Sequence, residues 1–68
     1  MTIVDTTVYK AFVFIVEDGD IEYEVRCSEN DASDDWEIFD ITNGGSISLE
    51  SELGSTLLDL CSEQKLMS

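Results

Sequence analysis

The side chains that could do chemistry in this 68-residue chain are carboxylates and little else. There is no His, and Cys27 and Cys61 are the only cysteines. Without His the usual general base near neutral pH is missing. The Ser–His and Cys–His pairs that activate nucleophiles cannot be assembled either. Asn43-Gly44-Gly45 lacks the Lys and the strand-to-helix setting of a phosphate-binding loop. Paired acids of the glycosidase kind are available by residue type, but a small two-layer domain offers little room for a substrate cleft. Catalysis is therefore not expected, and no residue is assigned a catalytic role.

Metal chemistry is no better served. Two cysteines far apart in sequence leave a structural zinc site without ligands. Asp31, Asp34 and Asp35, with Asn30 and Glu29, could gather oxygens around a hard cation, and Asp18 and Asp20 flank Gly19. Neither group has the alternating acids and central Gly of a calcium-binding loop. Loose condensation of cations on the surface is expected, with no built metal site and no cofactor. The cysteines read as reduced core residues, since free Cys buries readily. No basic neighbour in sequence lowers their pKa.

What remains is the charge itself. Sixteen Asp and Glu stand against three Lys and Arg, for a formal net charge of −13. The acids are interleaved with Val, Ile, Phe, Tyr and Trp rather than collected in a tail. The apolar share of 43% is that of a globular protein. A folded domain thus carries charge that opposes its own compaction. Nucleic acid is excluded as a direct partner, because affinity for phosphates comes from Lys and Arg. An anionic membrane surface is excluded on the same ground. The longest apolar run, residues 11–16, is too short to span a bilayer. No basic stretch precedes an apolar core at the N-terminus, so no signal peptide and a cytoplasmic location are expected.

The elements that must position these acids form one expected domain, 1–68. Residues 8–16 are β-branched and aromatic and read as a strand. Asp18-Gly19 suits a two-residue hairpin turn. Residues 20–27 alternate, with Ile21, Tyr23, Val25 and Cys27 on one face and Asp20, Glu22, Glu24 and Arg26 on the other. That turn would set Val16 against Ile21, Phe14 against Tyr23 and Phe12 against Val25. Residues 28–35 read as a polar, mobile loop, 36–41 as a strand, and 42–46 as a turn. Residues 47–49 make a short further strand or lead into a helix. Leu49, Leu53, Leu57 and Leu60 recur at helical spacing, and the helix begins at Ser48 or Ser51 and ends at Lys65. The fold class is α+β: an antiparallel sheet of three to four strands with one C-terminal helix packed on its Phe12, Phe14 and Tyr23 face. Trp36 and Phe39 are expected to complete the core.

On this scaffold Glu22 and Glu24 stand ~6.6 Å apart. That is about two base-pair rises of ~3.4 Å. Glu17, Asp18 and Asp20 extend the row, and Glu29, Asp31, Asp34 and Asp35 form a second one. B-DNA carries one charge per ~1.7 Å, so a charge of −13 corresponds to about 22 Å of duplex. These nine acids are the candidate contacts for the Lys and Arg of a basic protein.

In size, charge and layout the chain resembles the small accessory proteins of bacteriophages and mobile elements. Among these are DNA-mimicking inhibitors of host defence, including anti-CRISPR proteins. The resemblance implies a non-enzymatic inhibitor whose partner is a basic nucleic-acid-binding host complex, such as a CRISPR effector. Two other readings use the same residues. One is an interaction module that binds through an apolar sheet strip of Val13, Ile15 and Trp36. The other is a halophile-type soluble domain in which acidity serves solubility alone.

Overall fold

In the computed structural model, which describes residues 1–8, 11–29 and 34–67, five strands precede a single helix. They are β1 (Thr2–Val8), β2 (Phe12–Asp18), β3 (Ile21–Glu29), β4 (Asp34–Asp40), β5 (Ser46–Ile47) and α1 (Glu52–Met67). The strands pair antiparallel in chain order, so each is joined to its neighbour by a hairpin. The protein is a small α+β fold, a sheet with its C-terminal helix on one face.

The fifth strand, β1, comes from residues whose pattern does not alternate. Its ladder with β2 slips between Ile3 and Asp5, leaving Val4 as an extra residue in a bulge. One inserted residue reverses the phase of everything beyond it, so the period of two is lost. The apolar stretch expected to begin at Val8 belongs to two strands: β1 ends there and β2 begins at Phe12.

The β2–β3 hairpin turns one residue later than expected. Its two-residue loop is Gly19-Asp20, with Gly19 at φ +63° and no positive φ at Asp20. A positive φ at the first central position alone is the pattern of a type II′ turn, which demands Gly there. The register becomes Val16 with Tyr23, Phe14 with Val25 and Phe12 with Cys27. Each partner shifts by two residues, an even step, so every side chain keeps its expected face.

Residues 28–35 are not the loop that their polarity suggests at either end. Ser28 and Glu29 continue β3, Asp34 and Asp35 open β4, and they pair as Ser28 with Asp35 and Glu29 with Asp34. The remainder of the expected loop, Asn30 to Ser33 with Asp31 among them, lies outside the described residues.

Burial follows from the pleat. Phe14, Val16, Tyr23, Val25, Cys27 and Ile38 point to the helix side and are buried, and Leu57 and Cys61 meet them from α1. Trp36 and Phe12 pack at the margin of this core. Phe39 does not join it: one position out of phase with Ile38, it lies half-buried on the opposite face.

The helix entry is held by two serines. The Ser51 hydroxyl donates to the Ser48 carbonyl at 2.7 Å and accepts from the Gly54 N–H at 3.0 Å. Ser51 is therefore the N-cap, as one of the two expected positions. Gly54 is buried because it passes close to the Ser48 carbonyl oxygen, which a Cβ would strike.

Candidate functional site

Opposed residues in an antiparallel ladder share a face, so the open face of the sheet can be read across its strands. One row runs Thr2, Glu17, Glu22; the next runs Asp5, Ile15, Glu24, Phe39, Ser46; a third runs Thr7, Val13, Arg26, Glu37. Half-buried Val13, Ile15 and Phe39 thus lie among acids, with Arg26 in the middle. Asp5 and Glu37 belong to this face beside the expected acids. Asp5 was hidden by the bulge, whereas the phase of Glu37 with Phe39 is visible in the sequence.

Arg26 breaks the expected acidic row. Its Nε lies 3.0 Å from a Glu24 carboxylate oxygen, and its guanidinium sits 5.8 Å from the centre of the Phe39 ring. Glu24 is half-buried and carries an internal partner. It does not stand beside Glu22 as a second open anion.

The acids of the β2–β3 hairpin differ. Glu17 and Glu22 are directly opposed and exposed, and Asp18 and Asp20 stand at the turn beside them. Opposed Cβ atoms in a ladder are about 4.5–5.5 Å apart. Among the described residues no cation forms an ion pair with any of these four. The Glu22 backbone is fixed on its far side, its N–H donating to the Thr42 hydroxyl at 2.8 Å and its carbonyl accepting from the Ile41 N–H at 2.9 Å. Asp40, at the same end, is used locally: its carboxylate accepts from the Asn43 N–H at 2.8 Å and from the Asn43 amide at 3.2 Å. The buried Tyr23 phenol reports the resulting field. Burial raises its pKa, and the Asp40 and Asp18 carboxylates raise it further.

The second cluster sits at the other end of the same strands. Lys65 Nζ lies 3.2 Å from Glu29 and 3.4 Å from Asp34, over the Phe12 ring at 5.2 Å. The hydrogen bond to Glu29 raises the ammonium pKa, desolvation opposes it, and Asp34 adds to the rise. Glu29 and Asp34 are therefore tied to the last turns of α1. Asp35 is exposed, opposite Ser28. Of the nine expected contacts, four gather at the hairpin, three lie at the far end, Glu24 pairs internally, and Asp31 is outside the described residues.

Among the described residues no three Cys, Asp or Glu side chains are grouped to hold a metal ion. Cys27 and Cys61 are free and buried. Burial pushes the Cys61 thiol up to about 11, and burial first, then Asp34, raises that of Cys27. Neither presents a reactive thiolate at neutral pH. Among the described residues no helix is long and apolar enough to cross a membrane. Comparison with protein-family models, with curated proteins and with solved structures returns no match.

Proposed function

We propose that the protein is a non-enzymatic inhibitor that takes the place of DNA on the basic surface of a nucleic-acid-binding host complex. The resemblance in size, charge and layout makes a cytoplasmic defence complex such as a CRISPR effector the expected target. One observation carries the reading: Glu17 and Glu22 oppose each other with Asp18 and Asp20 beside them and no cation paired to them among the described residues. Like charges opposed across a ladder destabilise the fold. Lys and Arg of a partner entering between them relieve that repulsion and give a fast, steered encounter.

The ion pairs narrow the mimic surface to one end of the sheet. Arg26 pairs with Glu24, and Lys65 pairs with Glu29 and Asp34. The anionic surface offered to a partner is therefore the hairpin cluster of Glu17, Asp18, Asp20 and Glu22 rather than a continuous row. The test is binding to a purified CRISPR effector in competition with duplex DNA, at low and high salt. Mutual exclusion that weakens steeply with salt is expected. Simultaneous binding of DNA and inhibitor would overturn the mechanism.

The alternative, a contact through the apolar strip, would rest on Val13 and Ile15. Trp36 lies on the helix side, and Phe39 is already covered by Arg26. Such a contact would survive high salt. A halophile-type domain would need molar salt to fold.

A further inference from the structure

We propose that the outer edge of β4 receives an extended segment of a partner protein in which apolar residues alternate with Lys or Arg. The surface is separate from the acidic hairpin, and the inference stands without the DNA-mimic reading.

β4 has seven residues, but β5 pairs only with Ile38 and Phe39. The Asp40 N–H donates to the Gly45 carbonyl, so Asp40, Ile38, Trp36 and Asp34 direct their backbone groups toward β5. Past Ile47 the chain turns away into the Ser48–Ser51 turn. Among the described residues, the outward N–H and C=O of Trp36 and Asp34 thus run beyond the end of their partner strand. An open ladder edge of this kind is a template for another strand.

A groove of about 300 Å³ lies along this edge. Its lining comes from both sides of the sheet: Trp36, Ile47 and Leu49 from the helix side, Glu37 and Phe39 from the open side. A cavity lined this way opens on the edge itself. A strand added there would alternate its side chains between the two sides. Those toward Trp36, Ile47 and Leu49 meet an apolar wall; those on the other side meet exposed Glu37. The edge therefore asks for an extended backbone, apolar on one side and cationic on the other. A second copy of the chain is the wrong occupant, since it brings another charge of −13. The β1 edge is longer, but its bulge at Val4 interrupts the template.

The probe is a short peptide of alternating Lys and Val, with a version N-methylated at alternate residues as control. Trp36 is the only tryptophan, so its fluorescence reports this groove alone. We expect a saturable change in Trp36 emission with the peptide and none with the N-methylated control. With free peptide at ten times the dissociation constant, exchange of the Trp36 amide should slow about tenfold. Glu37→Gln, which removes the anion without setting like charges opposite Arg26, should weaken binding at least about fivefold while the variant stays folded by circular dichroism. Equal binding by the N-methylated peptide would show bare charge attraction and overturn the proposal. So would protection of β1 amides in place of Trp36, or protection of Trp36 by self-association without peptide.

Discussion

Glu17 on β2 and Glu22 on β3 are paired across the ladder with no ion-paired cation beside either among the described residues. Opposite charges in such a pair contribute roughly 0.2–1 kcal/mol and like charges cost stability. Glu17→Lys should therefore stabilise the isolated protein by a few tenths of a kcal/mol to about 1 kcal/mol. The same change should weaken inhibition of the target, because it places a cation where the partner's cations must come. Denaturation midpoints and a binding titration, measured together, check the opposed signs. A variant both more stable and equally inhibitory would remove the hairpin from the interface.

Lys65→Met keeps an apolar stem over Phe12 and deletes the charge between Glu29 and Asp34. The melting temperature should fall, and added salt should recover part of the loss by screening the two acids. Hydrogen exchange should show the largest change in the last turn of α1.

At the helix entry, Ser51→Ala removes the acceptor of the Gly54 N–H and should cost about 1 kcal/mol. Gly54→Ala should also destabilise, although helix propensity alone favours Ala by about 1 kcal/mol. The new Cβ meets the Ser48 carbonyl oxygen, and backbone has little room to yield. Chemical denaturation of both variants tests this; a stabilising Gly54→Ala would contradict the close approach.

Leu57 is fully buried between α1 and the sheet. Leu57→Ala should cost about 2–5 kcal/mol through lost burial and the cavity left behind. In a domain this small that is a large part of the total. The expected result in circular dichroism is a protein substantially unfolded at room temperature.

Alkaline pH should destabilise the fold. The Cys61 and Cys27 thiols and the Tyr23 phenol are all held above their ordinary pKa, so the unfolded chain releases these protons first. Stability is fully present below the unfolded thiol pKa, near ~8.5. It falls as pH rises from there toward the folded Cys61 value of about 11. Lys65 adds a loss of the same sign, since its raised folded pKa binds a proton that the unfolded chain gives up. Urea midpoints from pH 7 to pH 11 should decline, and Cys61→Ala should flatten the slope.

Local residue pattern sufficed for the class of fold and the faces of its central strands. Alternation over Ile21 to Cys27 and the Leu spacing of α1 are local patterns, and burial of one face needs no knowledge of the partner. That is why the hairpin could turn one residue late without moving a side chain to the wrong side. Local pattern could not reveal β1, because its bulge at Val4 shifts the phase and only pairing with β2 makes it a strand. Nor could it sort the acids. Glu22 and Glu24 look alike in the chain, two residues apart on one face. Arg26 and Phe39 capture Glu24, and Lys65 comes from the far helix to hold Glu29 and Asp34. Among the described residues, which carboxylates remain open to a partner is set by where Arg26 and Lys65 fall in space. Both positions, Arg26 over Phe39 and Lys65 over Phe12, exist only once strands and helix have packed.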